Sequence, residues 1–451
     1  MSIGILKKIS GAIFSILLMQ LITAVPATSE DLPLLTLEEC IEKGLNNDPS
    51  LVQSKATLDR AGNSMWTSYG SFLPSIRVSS DYNYRSNPFP GYYVDVQVAP
   101  DSFATVPIYV NDSWGQSLTL SQNLFNGFSD YFSLKSNKAN KEAAKMSYSN
   151  QVLSTVYNIK VNYFAVLRAM KLTDVQRKAL ERSEEQLRIT ETRYELGSAA
   201  LSDVLKARVS HGEAQLNLIS AENSFKVSSA QLNYAVGEDI SRRYRVDSTV
   251  TKRNVHYTLE GSVDFALKNN PKLHAYQKSM VSSKHSVRSA WGGFLPSLEA
   301  SYSASWFNAE EFDLGTFFNE NHTYRYGLTL SLNIFDQFIT KRQISDAKAS
   351  YNTDRFNYHN YRNGLQLEVT EAYLEYEKAQ LSLEVANDKL ASAREDYKLA
   401  NEKYSLGAAT ILDLLDAEVS LKTAERDVIE SEFDLNLAVA SLEKAMGVDP
   451  F

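Results

Sequence analysis

The sequence has almost no cysteine and lacks the short motifs on which many enzymes build their chemistry. Cys40 is the only cysteine, so neither an intrachain disulfide nor a cysteine-rich metal site can form. HExxH, CxxC, glycine-rich phosphate loops and the G-x-S-x-G elbow are absent. The six histidines are scattered without metal-ligand spacing. We therefore expect no enzyme activity, no cofactor and no bound metal.

Long apolar runs are missing beyond the N-terminus, where residues 1–27 are typical of a secretory signal. Lys7 and Lys8 form a basic start, residues 9–25 are mostly apolar, and Val25–Ala27 offers small residues for cleavage. An uncleaved membrane anchor is the alternative. The net charge of −8 argues against nucleic acid as a partner. A negative mean hydropathy suggests a soluble protein, but the alternating strands of outer-membrane barrels also have weak hydropathy.

The chain repeats itself. Residues 36–51 match residues 258–273 at an offset of 222, and both contain an N-[ND]-P-x-L motif. From Leu124-Phe125 onward, which aligns with Ile334-Phe335, the offset is 210, so the first half contains 12 extra residues before that point. Repetition at this scale is evidence of architecture.

Each half is predicted to run helix, strand, loop, strand, long helix, tip turn and return helix. After the signal 1–27, the predicted segments are a first repeat over 28–236 (β-hairpin 76–124, long helix 129–196, return helix 201–236), a connecting equatorial segment over 237–257, and a second repeat over 258–451 (β-hairpin 298–334, long helix 336–406, return helix 411–446).

The predicted strands alternate apolar and polar residues with a period of two. At about 9–12 residues each, they have the length that a tilted strand needs to cross a bilayer. The stretch 87–112, which contains four prolines, and the stretch 307–322 are predicted to be outer loops. The alternative is a soluble sandwich with one wet face, although a lone hairpin is barely stable in water. Four strands cannot close a barrel, so a membrane role requires several chains to share one.

No proline interrupts residues 129–196 or 336–406, and each segment would be about 100 Å long as a helix. Heptads with one large and one alanine-sized residue predict that each long helix pairs with its return helix as an antiparallel coiled coil. His211 breaks this pattern in the first half. It is interpreted either as a ligand or pH sensor, or as a tolerated polar residue on the seam.

The turns between long and return helices carry the candidate site, and we predict that they form the inner mouth of a channel. Gly197 and Gly407 occupy positions where a helix end favours positive φ. Asp413 and Asp416 share a helix face and would form two stacked acidic rings in a trimer, which can attract a divalent cation. Alternatively, Asp413 and its repeat counterpart Asp203 are ordinary acids of a first helical turn.

Together, the signal, the two N-[ND]-P-x-L motifs, the two F-L-P-S turns, the L-F/I-F steps and the paired Y-x-L-G…D tips resemble the TolC-type outer-membrane efflux proteins. The resemblance implies an α+β membrane protein, a homotrimer whose outer-membrane β-barrel takes four strands from each protomer and continues into a periplasmic α-helical coiled-coil barrel. It also implies contact with outer-membrane lipid, a periplasmic adaptor protein and an inner-membrane transporter.

In that family pattern, the positions of Asp413 and Asp416 line the periplasmic aperture, and those of Asp203, Ser202 and Tyr404 help to hold it closed. Further residues complete the candidate aperture and the adaptor-contacting tip turns: Tyr194, Leu196, Gly197, Leu406 and Gly407. The chain departs from the pattern at the position of a latch arginine, which is Ala409 here and Ala199 in the first half. Closure is therefore expected to depend more on packing.

The sequence thus predicts a passive exit duct for a tripartite efflux pump or a type I secretion system. The alternative is a periplasmic structural coiled-coil protein without a membrane span. An envelope enzyme is a third class, for which no candidate residues exist.

Overall fold

The computed structural model describes most of the chain, namely residues 34–84, 93–107, 112–247, 257–308 and 322–449. The predicted signal at 1–27 and the rest of the two predicted outer loops lie outside the described residues. In the described part of the chain, no helix is both long and apolar enough to cross a membrane.

The first half contains two short helices, five strands and two long helices. In chain order these are β1 (Leu34–Leu35), α1 (Leu37–Asn47), α2 (Pro49–Gly70), β2 (Ser75–Tyr84), β3 (Tyr93–Ala99), β4 (Ser102–Pro107), β5 (Asp112–Asn126), α3 (Ser129–Glu195) and α4 (Leu201–Val236).

The second half follows the same order. It contains β6 (Arg245–Val246), α5 (Leu259–Asn269), α6 (Pro271–Trp291) with a 3₁₀ turn at Gly292–Phe294, β7 (Ser297–Asn308), β8 (His322–Ser331), α7 (Ile339–Ser405) and α8 (Ile411–Met446). The connecting segment before α5 is tied to the first half, because β6 pairs in parallel with β1.

The short helices begin at capping residues that recur in both halves. Thr36 Oγ1 accepts from the N–H of Glu39 (3.2 Å), whose carboxylate accepts from the N–H of Thr36 (3.3 Å), which forms a capping box. Proline follows the cap of α2 and of α6, at the helical position where its missing N–H costs nothing.

The long helices α3 and α7 are continuous over 67 residues each. Helix α7 begins at Ile339, three residues after the predicted start at 336. Gln337 and Phe338 have φ angles of 55° and 65°, which a right-handed helix cannot contain. Asp336 instead accepts from the N–H of Thr340 (2.8 Å) in the first turn.

Four strands form one antiparallel sheet in the order β2-β5-β7-β8. Ser75 lies opposite Ser121 in the first hairpin, and Ser297 lies opposite Ser331 in the second. These registers are related by the same offsets of 222 and 210 that relate the sequences. Strands β5 and β7 join the halves. Strand β8 ends at Ser331 and does not extend to residue 334 as predicted.

The prediction that residues 87–112 form only a loop is wrong. Strands β3 and β4 form an additional hairpin there, with Val96 opposite Ala104. Pro100 lies in the turn and Pro107 ends β4, positions where neither interrupts the interior of the ladder. Pro100 and Pro107 therefore mark boundaries of this additional hairpin.

Helix α3 is the centre of the fold, since it packs against α2 and α4 of its own half and against α6 and α8 of the other half. A core at its middle buries Ile159, Tyr163, Leu167 and Phe433. A second core in the other half buries Leu365, Val369 and Leu442, among others. The helices thus form two adjacent antiparallel hairpins, and each hairpin ends at a tip turn.

Candidate functional site

Both tip turns end a long helix in the same way. Gly197 and Gly407 have φ angles of 73° and 76°. The next N–H bonds back five residues, from Ser198 to the carbonyl of Arg193 and from Ala408 to that of Lys403, at 2.8 Å in each case. This is the Schellman arrangement, in which positive φ favours glycine. A Cβ on either glycine would meet no atom within 4 Å, so the backbone angle alone constrains these positions.

The tips present bare apolar side chains beside each glycine. Leu196 is 78% exposed and Leu406 is 83% exposed. Ordinary surface leucines occur singly, but these two occupy equivalent positions at the ends of two neighbouring hairpins. The arrangement suits contact with another protein, because desolvating leucine is favourable.

Asp413 is a helix-capping residue. Its carboxylate accepts from the N–H and the hydroxyl of Thr410 (2.8 and 2.7 Å), and Thr410 Oγ1 accepts from the N–H of Asp413 (3.3 Å). These hydrogen bonds, together with the charge of Lys403, hold the pKa of Asp413 below its usual value. The cap also fixes the orientation of the carboxylate.

The first half does not copy this cap. Ala200 occupies the capping position of α4 and offers no side-chain acceptor. Asp203 instead lies 3.9 Å from the Nζ of Lys206 and accepts at 3.4 Å from the hydroxyl of Ser202. Asp416, the counterpart of Lys206, is exposed one turn after Asp413. The start of α8 therefore carries two carboxylates, whereas Lys206 partly neutralises the carboxylate of Asp203 on α4.

Tyr404 and its repeat counterpart Tyr194 have different surroundings. Tyr404 is buried (7% exposed), whereas Tyr194 is 45% exposed. The hydroxyl of Tyr404 lies 3.4 Å from Thr190 Oγ1 on α3. Asp203 and Ser202, which the family pattern groups with Tyr404, lie close to each other and to Lys206.

Arg193 joins the two tips, and sequence reasoning missed it. Its guanidinium lies over the ring of Tyr404, 4.8 Å from the centroid, and donates to the carbonyls of Tyr404 (3.0 Å) and Ser405 (2.8 Å). A cation is favoured beside the carbonyls at a helix C-terminus. The available signal was a basic residue in the last turn of each long helix, Arg193 and Lys403.

Packing completes the tip. Ala207, Tyr404, Ile411 and Leu414 form a small buried cluster between the hairpins, and Ala409 packs against it. Ala409, where the resemblance led us to expect a latch arginine, thus contributes apolar contact.

Beyond the tips, α3 and α8 are joined by a partly buried ionic group. Arg182 lies 3.6 Å from Glu418 and 3.4 Å from Glu425. Burial raises the pKa of Glu418, and the charge of Arg182 opposes that rise. His211 on α4 lies 3.4 Å from Ser183 and 3.0 Å from Gln215, among polar side chains of the seam.

No group of three or more His, Cys, Asp or Glu side chains that could hold a metal ion occurs among the described residues. The burial of Cys40 raises the pKa of its thiol to about 12, so this cysteine is inert.

Comparison with known proteins gives one consistent result. A family model described as "Outer membrane efflux protein" matches residues 40–238 and 263–448. The outer membrane protein TolC of Vibrio cholerae serotype O1 is 24% identical over 427 residues, covering 91% of this chain and 90% of that protein. The alkaline protease secretion protein AprF of Pseudomonas aeruginosa is 22% identical, covering 75% and 70%.

Solved structures share the fold. The outer membrane protein VceC of Vibrio cholerae superposes with a TM-score of 0.76 at 18% identity, covering 91% of this chain and 96% of that one. The open state of the Neisseria gonorrhoeae MtrE outer membrane channel gives 0.72 at 16% identity, covering 91% and 88%. Since the family model matches both halves, the chain belongs to the outer membrane efflux protein family and is an outer-membrane channel.

Proposed function

We propose that three copies of this chain form one exit duct, with a shared twelve-stranded β-barrel in the outer membrane and an α-helical barrel in the periplasm. The observation that supports this most strongly is the four-stranded sheet, whose two faces differ completely. One face is polar, with Arg77, Thr119, Ser303 and Arg325 in a single row across the four strands.

The other face of the sheet is apolar, and its edge-strand side chains are exposed. It carries Ile76, Val78, Tyr326, Leu328 and Leu330, which are all at least two-thirds exposed within the single chain. A patch of this kind marks a protein or lipid interface, and alternation between a polar lumen face and an apolar outer face is typical of membrane barrels.

The edges of the sheet require further strands. Strands β2 and β8 each have one neighbour among the described residues. An open edge in lipid leaves backbone groups unsatisfied, at several kcal/mol each. Barrels begin at about eight strands, so one chain supplies too few and three chains supply enough.

The duct takes its cargo from an inner-membrane transporter through a periplasmic adaptor, as a tripartite efflux pump or a type I secretion system does. The relatives named above include a secretion protein beside a TolC protein, which supports either use. The exposed tip turns at Leu196–Gly197 and Leu406–Gly407 are the proposed adaptor contacts, with Tyr194 beside them.

The periplasmic aperture is proposed at the same tips. Asp416 would form an acidic ring that acts on permeating ions. Asp413 would form a second ring whose carboxylates are oriented by Thr410. Tyr404, held by Arg193, together with Ser202 and Asp203, would keep the hairpins together when the duct is closed.

Planar-bilayer recording tests the aperture. Asp416→Ala and Asp413→Ala should change single-channel conductance and weaken block by divalent cations, because fixed charge at the constriction attracts cations. Asp434→Ala is the matched control, since Asp434 is exposed on the same helix far from the tip. Currents unchanged by the tip substitutions would contradict the aperture assignment.

Membrane fractionation tests the duct itself. We expect heat-modifiable trimers in outer-membrane extracts and loss of export when the gene is deleted. Recovery of the full-length protein as a water-soluble monomer in the periplasm would favour the structural coiled-coil alternative.

A further inference from the structure

We propose that the seam between chains repeats the seam inside the chain, and that it contains an ion pair from Asp346 to the partner subunit's Arg60. A cation–π contact from Arg342 to the partner subunit's Trp66 lies beside it. This inference rests on the proposed homotrimer and adds the residues that join its copies.

The two halves are structurally equivalent down to individual contacts. Lys138 lies over the ring of Tyr69 (5.0 Å), and Lys348 lies over the ring of Trp291 (5.4 Å). Lys348 is Lys138 plus 210, and Trp291 is Tyr69 plus 222. The offsets therefore relate the contact of α3 with α2 to the contact of α7 with α6.

Inside the chain, α3 meets α6 of the other half through a serine ladder. Ser136 Oγ lies 2.9 Å from Ser282 Oγ. Ser136 is buried there. Arg288 lies over the ring of Phe132, 5.6 Å from its centroid.

The same offsets predict the next contact around a closed ring, which is between α7 and α2 of the partner subunit. Asp346 occupies the position equivalent to Ser136, and Arg60 occupies the position equivalent to Ser282. An acid and a base therefore stand where the first seam has a pair of hydroxyls. Phe132 becomes Arg342 and Arg288 becomes Trp66, so the cation and the ring exchange sides.

These four residues are exposed in the single chain, as expected for a surface that contacts another copy. Trp66 is 68% exposed, and the Asp346 and Arg342 side chains are 66% and 70% exposed. Arg60 is exposed as well. Asp346 and Arg342 lie 3.4 Å apart on one helix, so Asp346 would bridge two arginines. Tryptophan and arginine are the residues that most often dominate interface energy.

The same two offsets also predict how the edge strands of neighbouring chains pair. Leu118 of β5 lies opposite Ala304 of β7 inside the chain. Adding 210 to the first and subtracting 222 from the second places Leu328 of β8 opposite the partner subunit's Tyr82 on β2. Strands and helices thus give one consistent docking of the second copy.

Cysteine crosslinking of the full-length protein in outer-membrane extracts tests the register. With a mild oxidant, Arg60→Cys/Asp346→Cys should convert most chains into covalent trimers on denaturing gels. The intrachain equivalent, Ser136→Cys/Ser282→Cys, should close its disulfide within a monomer. Arg60→Cys/Thr353→Cys is displaced by seven residues, about 10 Å along a helix, and should not crosslink because disulfides need Cα atoms closer than about 7 Å.

Charge exchange is an independent measurement. Arg60→Glu and Asp346→Arg should each lower the temperature at which the trimer dissociates in detergent, and the double variant should recover most of that loss. A trimer that forms but crosslinks at the displaced pair, or at neither, overturns the inference and leaves the duct intact. Absence of any trimer in native-mass measurements would refute the duct as well.

Discussion

Helices α3 and α7 have the same length and the same place in the repeat, yet they differ in burial. Eighteen side chains of α3 are buried, against nine of α7. Helix α3 lies between its own half and the other half, whereas one face of α7 has no neighbour within the chain. Exposed apolar residues mark that face at heptad spacing: Leu367, Leu374, Leu381, Val385 and Leu399. The difference supports the proposed position of a second copy.

The two seams also differ in chemistry. Between α3 and α8, Lys160 pairs with Glu443 (3.2 Å) and Lys171 with Glu432 (2.8 Å), in addition to the Arg182 group. The offset places Thr370, Leu381 and Ser392 at the positions of the three cations on α7. The seam inside the chain is ionic from Lys160 to Arg182, whereas α7 contributes no cation to the proposed seam between chains at the three equivalent positions.

The largest effect is expected from a negative charge placed on the exposed apolar face of α7. Leu381→Glu should abolish the trimer, because leaving a buried charge uncompensated costs about 3–5 kcal/mol at each seam. Leu381→Lys should preserve it, since the offset places the partner subunit's Glu222 where Glu432 faces Lys171. Gel mobility before and after heating measures both. Equal behaviour of the two variants would refute this docking.

The next effect concerns the ionic seam. Arg182→Ala leaves Glu418, 8% exposed, without its cation and should cost about 3–5 kcal/mol at neutral pH. The matched change at the repeat position, Ser392→Ala, should be close to neutral. Thermal melting followed by circular dichroism compares them.

The pH dependence of the same variant follows from the raised pKa of Glu418. A carboxyl whose folded pKa exceeds its unfolded value binds a proton on folding, so its contribution to stability falls as pH rises from the unfolded to the folded pKa. Loss of Arg182 raises the folded pKa further. Arg182→Ala should therefore be nearer to wild type at mildly acidic pH than at pH 7, and a pH-independent deficit would contradict the assignment.

A smaller effect is expected at the tips. Arg193→Ala removes two hydrogen bonds to the end of α7, each worth about 0.5–1.5 kcal/mol at this partly exposed position. The hairpins should separate more readily and raise the open-channel conductance in planar bilayers. Lys403→Ala, the repeat counterpart, is the control. If both variants conduct like the wild type, Arg193 does not hold the aperture.

The smallest effect comes from the caps. Thr410→Ala should cost about 0.5–2 kcal/mol, and Ala200→Thr should add a similar cap to α4, which lacks one. Asp413, whose pKa is lowered in the folded state, stabilises the cap above its unfolded pKa and loses that contribution as pH falls through the folded pKa. Melting curves at pH 7 and at pH 3 should therefore separate Thr410→Ala from wild type more at the higher pH.

Much of the fold could be predicted because its signals are long or repeated. Proline-free heptads over 67 residues leave little choice but helix, and period-2 alternation fixed which side chains share a face of the sheet. The β3–β4 hairpin was missed because its prolines lie at its boundaries. The start of α7 was misplaced because Gln337 and Phe338 adopt positive φ without glycine.

The candidate site was predictable only in part. The capping box of Thr410 and Asp413 is a local pattern, so sequence alone finds it. Arg193 acts on carbonyls more than 200 residues away, and local sequence carries no record of that contact. The pairing of Tyr404 with Thr190 is equally remote.

The lysine, arginine and glutamate links along α3 and α8 have a mechanical consequence for a threefold assembly. Two hairpins joined by these ion pairs would move as one unit, whereas the proposed joints between chains lack the three cations of α3 and could slide. Such a duct would widen at the three joints between chains and not at the three joints within chains.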